Sequence, residues 1–327
     1  MKTLIVGLLI SAILTIITGF LVLPLLKKLK IGQPILKYVT EHKSKSGTPT
    51  MGGVFFVLSA TAVFLIFTSG RNRLGVLALA ITIGFMAVGF IDDFLKIKLN
   101  RNEGLTALQK LLFQIGISLI ASFFAYESGL DFLYLPFTDK KLSISYFSIP
   151  LNALVFVATV NSVNLTDGLD GLCGSVSLVF FLAMSVIIVL QIESYQSFYL
   201  IKEEYENLSL LSSCMAGAMV GYLLFNTSKA SVFMGDTGSL AIGGAISSIS
   251  IFSGNTLLIP VMGICYVLSS LSVIIQVVYY KKTKKRLFLM APLHHHYQKL
   301  GFSEAKISYA YAFVTAVIGL ATIISYL

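Results

Sequence analysis

Long apolar runs alternate with short polar segments along the whole chain. A helix of roughly 20 apolar residues crosses a bilayer, and ten runs approach or exceed that length. They lie near residues 3–26, 51–69, 74–94, 106–127, 149–163, 172–191, 208–225, 237–252, 256–280 and 306–327. This pattern predicts an all-α polytopic membrane protein with about ten transmembrane helices. The fifth and eighth runs are short, which allows either helix to be tilted or partly re-entrant.

The first apolar run is too long for the apolar core of a signal peptide, and no small-residue cleavage site follows it. We therefore expect it to be retained as the first span. No internal repeat of fixed period is visible, so residues 1–327 are interpreted as a single integral membrane domain.

Lysine and arginine are distributed unequally between the two sets of loops. Eighteen of the 24 lie in the segments 27–50, 92–110, 164–171, 226–236 and 281–306. Cytoplasmic loops carry the excess of these residues in membrane proteins. We therefore expect these segments to face the cytoplasm and both termini to lie outside.

Two segments of the outer side have patterns of their own. Residues 128–148 alternate apolar and polar positions, which predicts a small periplasmic β-hairpin. Residues 193–206 are acidic and polar, and we expect them to form a solvated loop.

Composition supports a membrane protein with an anionic partner. The chain is 56% hydrophobic and 12% charged, whereas a soluble domain is about a quarter charged. The formal net charge is +9, but the basic residues border apolar spans and no nucleic-acid-binding module is visible, so no nucleic acid is expected as a partner. Cys173, Cys214 and Cys265 show neither a disulfide framework nor metal-ligand spacing.

The polar stretch between the fifth and sixth apolar runs carries the first candidate site. Asn164, Asp167 and Asp170 recur every three residues and share one face if the stretch is helical. Gly168 and Gly171 leave the backbone open to a ligand. A carboxylate near hydrocarbon costs about 2.5–3.5 kcal/mol at mid-bilayer, so the cluster indicates a bound cation or polar substrate. The alternative is a polar loop that joins two spans.

A basic glycine-rich turn precedes the second apolar run. Lys45 leads into residues 47–53, whose backbone amides, freed by Gly and Pro, suit a phosphate together with the lysine ammonium. An ordinary helix-entry turn with a cytoplasmic lysine is the alternative.

Two adjacent acids and one single acid lie at the ends of other spans. Asp92 and Asp93 close the third run, and adjacent carboxylates repel one another unless a cation or a shared proton offsets their charge. Mg²⁺ prefers such oxygen ligands; a solvated pair of acids is the alternative. Asp236 follows Gly235 at the start of the eighth run, close to Phe233, which is either a base-stacking or an interfacial aromatic residue.

Three consecutive histidines, His294, His295 and His296, follow the basic segment 281–286. Zinc is weakly supported, because adjacent residues of one element point in different directions. Hydrogen bonding to phosphate or acid–base chemistry fits better. The isolated His42 is interpreted as a solvated loop residue.

All five motifs are expected on one side of the membrane. The carboxylates indicate a divalent metal, and the lysines and histidines indicate phosphate. A diphosphate bridged by Mg²⁺ would need both kinds of group. Phosphoryl transfer needs mainly positioning and charge neutralisation from a protein.

With these motifs in order, the chain resembles the polyprenyl-phosphate N-acetylhexosamine-1-phosphate transferase superfamily. Within it, the chain is most similar to the phospho-N-acetylmuramoyl-pentapeptide-transferase branch. The stretches that carry the resemblance across nearly the whole chain are 47–53, Asp92-Asp93, 164–172, 233–239 and 292–297. The turn Gly-Thr-Pro-Thr-Met-Gly-Gly and the Pro-Leu-His-His-His segment point to that branch.

The resemblance implies roles at the matching positions. Mg²⁺ would be bound by Asp236 with Asp92 and Asp93, and Asp92 would be the base for the lipid phosphate. Catalytic roles are implied for Asp92, Asp93, Asp170, His294, His295 and His296. Substrate-binding roles are implied for Lys45, Thr50, Lys110, Asn164, Asp167, Gly168, Leu169, Asn226, Phe233 and Gln276.

The reaction implied by the resemblance is attack of undecaprenyl phosphate on the β-phosphate of UDP-N-acetylmuramoyl-pentapeptide, with release of UMP, in a bacterial inner membrane. Direct attack and a phospho-enzyme on Asp170 or Asp92 both remain open. Family members look dimeric, which implies a homodimer. Two other functions remain open: a sister enzyme that transfers N-acetylglucosamine-1-phosphate, and a transporter for an anionic solute. The acids crowd at one face and no repeat is visible, which disfavours transport.

Overall fold

The computed structural model describes residues 1–28, 47–70, 72–99, 101, 103–138, 140–194 and 199–327. Within these residues there are twelve α-helices and one two-stranded sheet. In chain order they are α1 (Lys2–Lys28), α2 (Gly53–Phe67), α3 (Arg73–Lys98), α4 (Ala107–Glu127), β1 (Phe132–Tyr134), β2 (Lys141–Ser143), α5 (Ser148–Thr166), α6 (Leu172–Ser194), α7 (Tyr199–Asn226), α8 (Gly235–Phe252), α9 (Leu258–Met262), α10 (Ile264–Thr283), α11 (Leu293–Lys299) and α12 (Glu304–Ile324). The all-α prediction is confirmed.

The ten predicted spans all appear as helices, but some of these helices are too short or too polar to cross a membrane on those grounds alone. Among the described residues, eight helices are long and apolar enough to cross a membrane. The second run forms α2, which has 15 residues. The eighth forms α8, which has 18 residues and carries Asp236 and several glycines and serines. The ninth run is divided at Gly263, where α9 ends and α10 begins.

Helix α8 is the centre of the bundle, and nearly all of its residues are buried. Small residues allow its neighbours to approach closely, as is common in membrane helices. A Cβ at Gly243 would lie 2.5 Å from the Cα of Val160 in α5, and a Cβ at Gly53 of α2 would overlap the backbone of Gly238. The polar helix is therefore stabilised by close backbone packing on several sides.

The outer helices turn large apolar side chains away from the bundle. Exposed examples are Phe20 of α1, Leu112 of α4, Ile274 of α10 and Phe313 of α12. Exposed apolar surface of this extent is unusual for a soluble monomer, and it fits a protein surrounded by lipid chains.

The predicted β-hairpin is confirmed. Strands β1 and β2 are antiparallel, with Leu133 opposite Leu142. The Nζ atom of Lys141 lies 4.8 Å from the ring centroid of Phe132 and 4.6 Å from that of Tyr134. The hairpin packs beside Gly254, at the end of α8 opposite to Asp236.

The prediction of a solvated loop over 193–206 is wrong where the structure describes it. Helix α6 continues to Ser194 and α7 begins at Tyr199. The carboxylate of Glu204 accepts hydrogen bonds from the backbone amides of Arg73 at 3.1 Å and Leu74 at 2.7 Å. The first N–H groups of a helix lack partners within the helix. An acidic residue that looked like a solvated side chain therefore caps α3.

Candidate active site

Three carboxylates from two helices meet at one end of the bundle. Asp92 and Asp93 lie in the last two turns of α3, and Asp236 lies in the first turn of α8. One oxygen from each lies within 4.8 Å of the others. Gly89 makes this possible, because a Cβ there would overlap the backbone carbonyl of Asp236.

Two lysine side chains partly neutralise this cluster. The Nζ atom of Lys96 lies 2.6 Å from Asp92 Oδ2 and 3.2 Å from Asp236 Oδ2. The Nζ atom of Lys110 lies 2.5 Å from Asp236 Oδ2 and 3.4 Å from Asp92 Oδ2. Three carboxylates thus face two ammonium groups, so the cluster keeps an excess of negative charge that favours a further cation.

The oxygen atoms of the cluster fit a magnesium site. Asp93 Oδ2 accepts hydrogen bonds from Thr237 N at 2.9 Å and Thr237 Oγ1 at 2.7 Å. Asp93 Oδ1 and Thr50 Oγ1 are buried without a hydrogen-bond partner in the described part of the chain. A Cβ at Gly235 would lie 2.6 Å from Thr50 Oγ1 and would overlap Asp93 Oδ2, so the side chains of Thr50 and Asp93 come close together beside Gly235. Carboxylate and hydroxyl oxygens are the ligands that Mg²⁺ prefers.

Helix α5 contributes an amide to the cluster. The Nδ2 atom of Asn164 donates to Asp236 Oδ1 at 2.9 Å and to Ser239 Oγ at 2.8 Å. The helix ends at Thr166, so Asn164, Asp167 and Asp170 do not share one helical face; the chain turns before the two acids.

Asp167 lies in the turn after α5 and is partly buried. Burial, followed by the negative charges of Asp236, Asp93 and Asp170, raises the pKa of the Asp167 carboxyl to about 8. Withdrawal from water and nearby like charges both favour the neutral acid. Burial and the neighbouring acids therefore shift Asp167 towards its carboxylic acid form.

Two of the predicted site residues hold loops together. Asp170 Oδ2 accepts a hydrogen bond from the amide of Ala230 at 3.0 Å. Asn226 accepts from the amide of Gly171 at 3.0 Å and donates to the carbonyl of Val232 at 2.9 Å. Both side chains are buried. Their observed contacts fix the loop between α7 and α8 against the loop between α5 and α6.

The same α7–α8 loop is joined to the glycine-rich turn. Phe233 N donates to the carbonyl of Pro49 at 2.8 Å, and Gly52 N donates to the carbonyl of Phe233 at 2.9 Å. The backbone of Phe233 is thus held on both sides while its ring stays partly exposed. Leu169 is buried, and Lys45 lies outside the described residues.

The three histidines lie in α11 and face different surroundings. His294 is buried, and neither ring nitrogen has a hydrogen-bond partner in the described part of the chain. Burial, with a smaller effect of His295, lowers the pKa of His294 to about 3, so its ring is neutral at physiological pH. His295 Nδ1 lies 3.0 Å from Gln298 Oε1, and His296 Nδ1 accepts from the amide of Leu289 at 3.1 Å. Among the described residues, the carboxylate cluster alone has metal-site geometry, and it contains no histidine.

Helix α10 holds the segment before the histidines. Gln276 Oε1 accepts hydrogen bonds from the amides of Leu287 at 3.1 Å and Phe288 at 2.9 Å. One turn earlier, Ser272 Oγ accepts from the amide of Leu293 at 2.9 Å. The structure places Gln276 beside the histidine loop, and Ser272 is a second anchor of that loop.

Some residues of the site were missed by the sequence analysis. Lys96 follows Asp92 by four residues, a helical spacing that brings opposite charges together, so the sequence contained its signal. Thr237, Ser239 and Ser272 have no such local signal, because their partners lie on other helices.

Gly168→Ala is expected to lower activity by about tenfold or more, because small misplacements of reacting groups are costly. A Cβ at residue 168 would overlap His294 Nε2 and lie 3.0 Å from His295 Nε2, so the histidine rings, or α11 with them, must shift. The matched control is Gly116→Ala, where a Cβ meets nothing within 4 Å. Steady-state rates of both purified variants test this; equal rates would show that α11 accommodates the methyl group.

Comparisons with known proteins show which family this chain is similar to. Residues 74–254 match the family model of Glycosyl transferase family 4, and residues 45–57 match signature 1 of phospho-N-acetylmuramoyl-pentapeptide-transferase. The chain is 38% identical over 322 residues to the phospho-N-acetylmuramoyl-pentapeptide-transferase of Clostridioides difficile strain 630, covering 97% of this chain and 96% of the relative. The corresponding proteins of Clostridium botulinum and Caldanaerobacter subterraneus are 39% and 40% identical, with 94% of each relative and 97% and 94% of this chain covered.

Proposed function

Since the chain belongs to the phospho-N-acetylmuramoyl-pentapeptide-transferase family, we propose that it transfers phospho-N-acetylmuramoyl-pentapeptide from UDP-N-acetylmuramoyl-pentapeptide to undecaprenyl phosphate. UMP is released, and the lipid-linked product enters peptidoglycan synthesis. The observation that carries this proposal is the cluster of Asp92, Asp93 and Asp236 with two lysines, to which Asn164 also donates a hydrogen bond, so that three of the motifs meet there.

We propose Mg²⁺ as the cofactor, held by Asp92, Asp93 and Asp236. When bound, the ion neutralises charge on the diphosphate and orients it. Lys96 and Lys110 hold the carboxylates in place, and Asn164 fixes Asp236 through its amide. Asp92 Oδ1 accepts the amide of Leu105 at 2.9 Å, which orients this carboxylate as the candidate base for the lipid phosphate.

The soluble donor is proposed to lie against the loops around this cluster. The partly exposed ring of Phe233, on a backbone held by Pro49 and Gly52, suits stacking on uracil. Gly168 lies next to the histidine helix, where the donor would be enclosed. The apolar side chains exposed on the outer helices allow the prenyl chain of the acceptor to remain in the hydrocarbon of the bilayer, beside the protein.

The proposed location is the cytoplasmic membrane of a bacterium, with this site facing the cytoplasm and the β-hairpin facing outward. The support is the excess of lysine and arginine in the loops that carry the site, because cytoplasmic loops hold such an excess. A homodimer is proposed from the family resemblance.

The test is UMP release by purified protein in detergent. With UDP-N-acetylmuramoyl-pentapeptide and undecaprenyl phosphate, we expect UMP release that requires the lipid. Release should stop when a chelator removes Mg²⁺ and resume when Mg²⁺ is added back. Parallel reactions contain UDP-N-acetylglucosamine as the donor. Release with that donor alone would assign the sister reaction, and no release with either donor by a folded sample would contradict the proposal.

A further inference from the structure

Helix α12 begins beside both loops that carry candidate site residues. Its first residue, Glu304, accepts a hydrogen bond from the backbone amide of Asp170 through Oε2 at 3.1 Å. One turn later, Ser308 Oγ donates to the carbonyl of Asp170 at 3.0 Å. Both backbone groups of Asp170 are thus held by α12.

The other carboxylate oxygen of Glu304 is directed towards α11. Gln298 Nε2 donates to Glu304 Oε1 at 3.4 Å, and Gln298 Oε1 lies 3.0 Å from His295 Nδ1. A continuous chain of hydrogen bonds therefore connects the amide of Asp170, Glu304, Gln298 and the ring of His295.

The chemistry of these groups fixes which atom donates and which accepts in each of these three hydrogen bonds. A carboxylate only accepts, so the amide nitrogen of Gln298 must face Glu304 and its oxygen must face His295. That oxygen also only accepts, so His295 Nδ1 must carry a hydrogen. In the neutral ring, Nε2 is then the acceptor atom, and it is the atom next to Gly168.

We propose that Glu304 is a positioning residue that, through Gln298, keeps the proton of His295 on Nδ1 and holds the histidine helix against the Asp170 loop. The orientation of a histidine proton by a hydrogen-bonded partner is a general way to set its role in a site. The kinetic part of this proposal rests on the proposed function; the tautomer of His295 does not.

The decisive variant is Glu304→Gln. Its carboxamide oxygen can still accept from Asp170, and its nitrogen then faces Gln298. The amide of Gln298 must reverse, and its nitrogen meets His295 Nδ1, which becomes an acceptor. We expect the tautomer of His295 to change to Nε2–H and kcat for UMP release to fall by about tenfold or more, with little change in KM.

The double variant Gln298→Glu with Glu304→Gln provides the rescue. Residue 304 then accepts from Asp170 and donates to residue 298, whose new carboxylate accepts from His295 Nδ1. The donor and acceptor relations of these three hydrogen bonds are restored, so we expect the Nδ1–H tautomer and most of the lost kcat to return. The matched control is Glu206→Gln, at a solvent-exposed side chain on the opposite end of α7 from the site.

The measurement is the ¹⁵N spectrum of protein labelled at its four histidines, with the His295 signals assigned by their loss in His295→Asn. UMP release and thermal unfolding are measured on the same samples. An unchanged tautomer in Glu304→Gln, or no restoration in the double variant, would overturn the proposal. If the wild type shows the predicted tautomers but releases no UMP, the proposed function fails while the positioning role stands.

Discussion

Asp236→Asn is expected to lower the rate of UMP release by about 10³-fold or more, the scale on which charge-stabilising groups act in phosphoryl transfer. The carboxylate of Asp236 is the shared partner of Lys96, Lys110 and Asn164. The amide keeps the shape of the side chain but removes its charge. The two ammonium groups then balance the two remaining carboxylates, and the attraction for a divalent cation is lost.

The rate is measured over a range of Mg²⁺ concentrations, and thermal unfolding reports whether the variant is folded. Asp131→Asn is the matched control, because Asp131 lies at the β-hairpin and holds Ile144 and Ser145 through its backbone carbonyl. We expect the control to retain the wild-type rate. A folded Asp236→Asn protein with the wild-type rate and Mg²⁺ dependence would show that this carboxylate is not a metal ligand.

Gly89→Ala is expected to lower the rate by about 10²-fold or more, the effect of displacing reacting groups by an ångström. A Cβ at this position of α3 would overlap the backbone of Asp236, and a backbone cannot rotate away as a side chain can. The first turn of α8 must move, which separates Asp236 from Asp92 and Asp93. Overpacking also destabilises the protein by about 1–3 kcal/mol.

Gly84→Ala on the same helix is the control for Gly89→Ala. A Cβ at residue 84 would lie 3.5 Å from the nearest atom, a methyl carbon of Ile117, which is an ordinary contact. Both substitutions raise helix propensity equally, so a difference in rate or unfolding temperature reports the contact with α8. Equal behaviour of the two variants would contradict the close packing of α3 on α8.

The helices and the order of the motifs follow from the sequence for a simple reason. A segment in hydrocarbon must satisfy its backbone hydrogen bonds internally, so a long apolar run becomes a helix. The β-hairpin likewise follows from local alternation. Two predictions of local structure failed in part. Residues 199–206 were expected to be a loop but belong to α7, where Glu204 binds the start of α3, and the ninth span is divided into two helices at Gly263.

The sequence also determined which residue types gather in the site. Asp92 and Asp93 are adjacent, and Lys96 is one helical turn away, so their association is local. The prediction that Asn164, Asp167 and Asp170 share a helical face did not hold, because α5 ends at Thr166. Sequence spacing alone does not show where a helix stops when glycine and polar residues follow it.

Only the tertiary structure decided how distant segments meet. Asp236 joins Asp93 because α3 and α8 touch at Gly89, although the two acids are more than a hundred positions apart. Asp170 and Asn226 hold loops, and Glu304 links Asp170 to the histidine helix through Gln298. Local spacing fixes neighbours on one helix, whereas the packing of helices selects partners across the chain. The sequence therefore determined the chemical groups of this protein, and the close contacts between its helices decided their geometry.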